Sequence, residues 1–297
     1  MKNIKYFFVA LLLIAAAGCE NDNTTTPPVG TLSLKLTDAP MHYDQFMSAS
    51  VIIDKIEIGN SAHADSFMTL TNTPMKYNLL ELVNGMTSTM ANVEIPAGDY
   101  NLLRLYISST EMVMTNGETF SYNMDQDGYS GSSMMQNGMM LNNQNRSIDI
   151  QLDHLLTISN GSMSEFLLDI DVDQSFMLEG VNYNNMMMGM TGFTFMPTMR
   201  FVDLSTSGTI NGTVQDANEN LPNATISLML NGTLYTTTHS DENGHYAFIG
   251  IPEGMYTVEA ELDGYMMNPV GNEQNMGELS MMAKGTLSVN FNMIASN

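Results

Sequence analysis

Apolar and polar residues alternate in short runs along most of this chain, and a chain so patterned can hide its apolar half only in sheets. Leu287, Val289, Phe291 and Met293 alternate with Ser288, Asn290 and Asn292; Ile226, Leu228 and Leu230 follow the same rule, as do Tyr246 and Phe248. Successive side chains on a strand point to opposite faces, so each run reads as a strand with one dry and one wet side. The first half of the chain repeats the pattern at Leu32, Leu34 and Leu36, at Ile148, Ile150 and Leu152, and at Leu168, Ile170 and Val172. Turn dipeptides at Asn231-Gly232, Asn243-Gly244 and Asp263-Gly264 punctuate the second half, with no amphipathic helix between them. The expected fold class is all-β, in two antiparallel β-sandwich domains.

The length of 297 residues suits roughly two domains. A run of small polar residues from Ser205 to Gly208 marks the boundary, giving a β-rich domain over 30–204 and a second over 206–297. Cys19 is the only cysteine, so no disulfide within the chain can form and each domain must be held by its own core.

The formal net charge is -23, from 9 Lys and Arg against 32 Asp and Glu. Every phosphate contact needs a cation that this chain lacks, which excludes a nucleic-acid partner. At the amino terminus Lys2 and Lys5 precede an apolar run from Tyr6 to Ala17, too short for a lasting membrane span and ending in small residues, as secretory signals do. Ala16-Ala17-Gly18-Cys19 resembles the lipobox of bacterial lipoproteins, although leucine is more usual at the place of Ala16. The resemblance implies a signal peptide over 1–18, removed before Cys19, and acylation of Cys19 as the first mature residue. Several acyl chains make a membrane partner at that end. Glu20-Asn21-Asp22-Asn23 resembles the acidic export signal of Bacteroidetes lipoproteins, which implies the outer face of the outer membrane. Residues 19–29, with Thr24 to Thr26 and Pro27-Pro28, read as the lipidated cysteine and a tether.

Four motifs in the second region, Gly208 to Val214 (GTINGTV), Leu221 to Ile226 (LPNATI), Ser240 to Phe248 (SDENGHYAF) and Ile251 to Tyr256 (IPEGMY), are followed by Gly264-Tyr265. Together they resemble the carboxypeptidase regulatory-like, or transthyretin-like, domain over 208 to about 293. That resemblance implies a seven-strand prealbumin-like sandwich without catalytic residues, appended to exported proteins and grouped with carbohydrate-binding-like folds. In the first region, Gly30 to Pro40 (GTLSLKLTDAP), Val51 to Ile58 (VIIDKIEI), Val93 to Ile107 (VEIPAGDYNLLRLYI) and Phe195 to Val202 (FMPTMRFV) resemble a family of bacterial lipoprotein domains of unknown function. One echo joins the two regions. Ile95-Pro96-Ala97-Gly98-Asp99-Tyr100 and Ile251-Pro252-Glu253-Gly254-Met255-Tyr256 place Pro, Gly and Tyr at the same offsets, which is either convergent turn chemistry or a corner shared by two sandwiches.

Methionine is the compositional outlier, at 30 residues. At Met229 and Met293 it fills strand positions that need an apolar residue. Met134, Met135, Met139 and Met140, and Met186, Met187, Met188 and Met190, lie instead among Asn, Gly and Ser. Thioethers suit Cu(I), with His42 beside Met41 as an added imidazole, but the irregular spacing favours compositional drift. Three oxygen-rich segments are Ca²⁺ candidates. Asn123, Asp125 and Asp127 before Gly128 match the opening of an EF-hand loop, which then fails at Met134. Asp169, Asp171 and Asp173 would share one face of a strand, as ligands or as a solvated edge. Asp216, Asn218 and Asn220 read as a turn.

Catalytic signatures are missing: there is no GxSxG elbow, HExxH pair, Walker loop or dinucleotide fingerprint, and His42, His63, His154, His239 and His245 are scattered. The expectation is a non-enzymatic, lipid-anchored envelope protein, binding or scaffolding through its loops, with no required cofactor. The insertion from about Gly117 to Arg146 is the expected contact surface, or else a disordered segment. A polysaccharide partner, read by tyrosines since Trp is absent, and a metal-binding role through the candidates above are the alternatives.

Overall fold

A computed structural model describes residues 27–39, 45–63, 66–124, 135–136, 139–142, 147–180, 190–268 and 277–296. The first domain opens with strands β1 (Val29–Ala39), β2 (Phe46–Gly59), β3 (Met68–Thr71), β4 (Met75–Asn78) and β5 (Ser88–Pro96). The long β6 (Gly98–Met114) follows, then β7 (Thr119–Asn123), β8 (Met135–Gln136), β9 (Met139–Asn142) and β10 (Ser147–Ile158). It ends with β11 (Met163–Asp171), the single-turn helix α1 (Val172–Ser175), and β12 (Phe176–Glu179), β13 (Gly192–Phe195) and β14 (Thr198–Asp203).

One sheet has the order β14-β11-β1-β5; a larger one runs β3-β2-β6-β10-β9-β8, with β4 and β7 added along β2 and β6; β12 and β13 form a separate ribbon. The alternation fixes which side is dry. Leu32, Leu34 and Leu36 on β1 meet Leu103, Leu105 and Ile107 on β6 and Ile148 and Ile150 on β10 in one continuous core. Phe176, Phe193 and Phe195 close its end, with Phe176 and Phe195 edge to face at 5.0 Å. Among the methionines, Met90, Met112, Met114 and Met199 are buried in this core, filling positions the strand pattern reserves for apolar groups.

The second domain comprises β15 (Ser207–Gln215), β16 (Thr225–Leu230), β17 (Thr233–His239), β18 (His245–Pro252) and β19 (Gly254–Glu261). Three short strands, β20 (Tyr265–Met267), β21 (Leu279–Met281) and β22 (Thr286–Ser288), precede β23 (Phe291–Ala295). Its sheets have the orders β18-β15-β23-β20, with β22 also on β15, and β17-β16-β19-β21. Ile210, Ile226, Leu228, Tyr246, Val258 and Phe291 fill the space between them.

The sandwiches are not purely antiparallel. β1 pairs with β11 in parallel from Thr31↔Met163 to Ala39↔Asp171, and β15 runs parallel to β22 and β23. Parallel neighbours need a long crossover, and here nearly the whole first domain lies between β1 and β11. The second domain also carries more strand segments than the seven expected, because Val289 and Asn290 interrupt its last strand and β20 and β21 add short edge pieces. Among the described residues no helix is long and apolar enough to cross a membrane.

The two Pro-Gly-Tyr hexapeptides form the same corner. Each carries the chain out of one sheet and into the other sheet of its domain, β5 into β6 and β18 into β19. The Tyr100 hydroxyl donates to the Pro96 carbonyl at 2.9 Å, and the Tyr256 hydroxyl to the Pro252 carbonyl at 3.1 Å. A tyrosine tied back to the backbone four residues upstream braces the turn where one strand gives way to the next.

Candidate functional site

The strand β1 begins at Val29 and, eleven residues long, ends against the second domain. At that end Thr37 and Asp38 hold the turn that follows β4. The Thr37 hydroxyl lies 2.9 Å from the carbonyls of both Leu82 and Met86, and the Asp38 amide donates to Leu82 at 3.0 Å. Asn84 and Gly85 in this turn both have left-handed backbone, at φ 58° and 80°. The turn is thereby aimed outward.

Asn84 uses its side chain on the second domain. Its Nδ2 donates to the His245 carbonyl at 3.1 Å and its Oδ1 accepts from the Ala247 amide at 2.5 Å. Those are backbone groups of β18, which ends its sheet as β17 ends the other. An edge strand with unpaired groups invites pairing with another chain, so Asn84 caps what would otherwise be an open edge. Gly250, at φ 66°, lies close against the first domain: a Cβ there would stand 2.8 Å from Leu167 Cδ2 and 3.4 Å from Val202 Cγ1.

Beneath this contact lies a small cavity of about 20 Å³, lined by Thr37, Asp38, Asp169, Arg200 and Thr238 with the β18 backbone. Arg200 on β14 donates through Nη2 to Asp169 Oδ2 at 2.5 Å, and its guanidinium lies 4.6 Å from the ring centre of Tyr235 on β17. Burial works against the Arg200 charge, but Asp169 and Tyr235 outweigh it and hold its pKa above the ordinary value. Asp38 Oδ1 accepts from the Val172 amide at 3.1 Å. Asp38 Oδ2, Asp169 Oδ1 and the Thr238 hydroxyl have no hydrogen-bond partner among the described residues, at residue exposures of 5%, 6% and 2%. Burial, then the neighbouring Asp169, push the Asp38 carboxyl well above the usual aspartate range, and the Val172 amide opposes them only in part.

The acidic triplet expected on one strand face is not one. β11 stops at Asp171, whose carboxylate accepts from the Gln174 amide at 3.0 Å and caps α1, so Asp173 sits in the helix and Asp169 faces Arg200. Local capping ended the strand where alternation alone would have extended it. Asp216 accepts from the amides of Asn218 and Glu219 at 2.7 and 2.9 Å, the turn that was expected, and these bonds lower its pKa. Met135 and Met140 pair across β8 and β9, and Met190 is half-buried against the first core. Cys19, His42, Asp125, Asp127, Met134, Met186, Met187 and Met188 lie outside the described residues. Among those described, no group of three or more His, Cys, Asp or Glu could hold a metal ion.

A second polar cluster covers the wet face of the larger sheet. Glu57, Arg104 and Asp149 sit opposite one another on β2, β6 and β10. Arg104 grips Asp149 through Nε at 2.5 Å and Nη2 at 2.7 Å, and lies 3.8 Å from the ring centre of Phe67. Glu57 accepts from Tyr106 at 2.8 Å and pairs with Lys55. Burial would raise the Glu57 pKa, but Lys55 and Tyr106 more than reverse it.

Residues 29–188 match the model of a domain of unknown function (DUF4382). The chain belongs to this family. Residues 209–293 match the carboxypeptidase regulatory-like domain. A serine-aspartate repeat-containing protein F of Staphylococcus epidermidis is 33% identical over 102 residues, covering 33% of this chain and 6% of that protein. The chain thus spans a small fraction of that curated relative. Among solved structures, shaft pilin SpaA from Lactobacillus rhamnosus GG is 10% identical at a TM-score of 0.26, covering 91% of this chain and 98% of the pilin. The minor pilin GBS52 of Streptococcus agalactiae is 8% identical at a TM-score of 0.24, covering 89% and 97%. The Bacillus anthracis TIE protein is 13% identical at 0.25, covering 90% of this chain and 34% of its own.

Proposed function

We propose that this chain is an exported, lipid-anchored protein of a bacterial envelope, facing outward, that binds or scaffolds and does not catalyse. Acyl chains on Cys19 hold one end, the Thr/Pro segment spaces the body from the membrane, and the two sandwiches present their loops to an envelope protein or polysaccharide. The observation that carries this reading is the path of β1. It starts at Val29, directly after the tether, and its other end builds the contact with the second domain. Eleven strand residues span roughly 35 Å at about 3.3 Å per residue, so the second domain is held at the far end of that strand. The pairing of a family of unknown function with a carboxypeptidase regulatory-like domain supports a non-catalytic module.

The test is labelling of expressing cells with an alkyne fatty acid, followed by protease treatment of whole cells. The expected result is label on the native chain, none on Cys19→Ala, and digestion of the body from outside. An unlabelled native chain that still carries Lys2 contradicts the anchor, and a labelled chain resistant to outside protease contradicts the outward orientation.

A further inference from the structure

We propose that the exposed methionines of this chain are an oxidant sink: their thioethers take oxygen from hypochlorous acid or a hydroperoxide while both cores stay folded. Where the methionines lie points there. Among the described residues 52 apolar side chains are buried, and six of them are methionine: Met90, Met112, Met114, Met199, Met281 and Met293. Twelve large apolar side chains are exposed, and eight of those are methionine. Met47, Met75, Met86, Met163 and Met177 belong to the first domain and Met255, Met266 and Met282 to the second, at 39% to 68% exposure. Scattered apolar side chains are ordinary on a surface, but methionine is among the residue types most often buried. Drift that exchanged one apolar filler for another would have enriched the cores instead.

The eight stand on eight separate segments: β2, β4, the turn of Asn84, β11, β12, β19, β20 and the residue after β21. A soft-metal site needs several thioethers converging and a docking patch needs them contiguous, whereas a thioether meets an oxidant singly. The sulfur lone pair attacks the terminal oxygen, the O–Cl or O–O bond breaks, and sulfur is oxidised by two electrons to the sulfoxide. Chloride and a proton leave in the first case, water or an alcohol in the second. The sulfoxide is polar, so on the wet side of a strand it projects into solvent, while at Met112 or Met293 it would lie inside a core. The chain has no Trp and its one Cys is Cys19, so neither an indole nor a thiol of the two domains competes for the oxidant. Met75 is the least exposed of the eight, and its sulfur accepts from the Tyr77 hydroxyl at 3.4 Å, so it should fill last.

This chemistry does not depend on the anchor, and the mature chain without lipid serves for the test. Hypochlorous acid is added stepwise to the native chain and to a variant with Met→Gln at all eight positions, each mixed with a bystander enzyme that the oxidant inactivates. Peptide mass mapping follows each methionine, and near-ultraviolet dichroism follows the buried tyrosines. The eight are expected to gain oxygen at least about tenfold faster than the six buried methionines, with native dichroism throughout. The bystander should fail about eight oxidant equivalents per chain earlier beside the variant than beside the native protein, one for each thioether removed. Equal protection by the two chains overturns the sink, as does loss of native dichroism while the eight are still part-filled. If the variant does not fold, the native chain decides. Reduction of the eight sulfoxides by methionine sulfoxide reductases with dichroism unchanged supports the sink, and oxidation of buried and exposed methionines at one rate overturns it.

Discussion

The polar ladder on the large sheet and the polar seam between the domains contain the same residue types and behave in opposite ways. In the ladder, Glu57, Arg104 and Asp149 stand in cross-strand register, every charge has an opposite neighbour, and the Glu57 pKa is lowered. In the seam, the Arg200 guanidinium is bonded to Asp169, buried oxygens have no partners among the described residues, and the Asp38 pKa is raised. Satisfied charge stabilises a sheet and leaves nothing to respond; an under-satisfied site can change with its surroundings.

Five substitutions sharpen that contrast, in falling order of effect. Arg104→Ala removes a two-pronged bond to Asp149 and a neighbour of Glu57, at an expected cost of about 2–3 kcal/mol in chemical denaturation. The ladder should also respond to pH. The folded pKa of Glu57 lies below its unfolded one, so its contribution is present above the unfolded value and lost as pH falls through the folded value. A Glu57→Gln protein whose acid limb matches the native one would remove Glu57 from the ladder's account.

Gly250→Ala places a Cβ against Leu167 at a left-handed backbone position, and should cost about 1–2 kcal/mol by loosening the seam rather than either core. Near-ultraviolet dichroism of the buried tyrosines should stay native; its loss would show that Gly250 supports the second core itself. The smallest effects separate the two corners. Tyr256 is 1% exposed, and burial raises its pKa to about 12, so Tyr256→Phe, which removes a part-buried bond to the Pro252 carbonyl, should cost about 1 kcal/mol. Tyr100 makes the same bond at an exposed site, and Tyr100→Phe should cost a few tenths of a kcal/mol at most. Equal losses would mean that the bond, rather than its burial, sets the energy.

Much of the fold was legible in the residues, because alternation states directly which strand face is dry. Leu32, Leu34 and Leu36, or Ile226 and Leu228, are buried as their spacing required. The corners were legible as motifs, but their equivalence rests on two hydroxyl bonds that only coordinates display. The seam was almost invisible. Thr37 and Asp38 stood in the opening motif as a family mark with no role, and Arg200 stood in the closing one. Asn84-Gly85 is a turn dipeptide of the same kind as the three noted in the second half, and was the available signal. That its side chain would cap an edge strand 161 residues away depends on docking, which no local pattern encodes. Asp173 misled for a related reason: spacing by two predicts a shared strand face only while the strand continues, and a capped helical turn ended it.

If Asn84, held in place by the bonds of Thr37 and Asp38 to its turn, docks the second sandwich firmly on the first, the two sandwiches reorient together. Residual dipolar couplings measured on the whole chain in a weakly aligning medium test it directly. Couplings from both cores should fit a single alignment tensor, which splits in two in Asn84→Ala. Two different tensors in the native protein would contradict it.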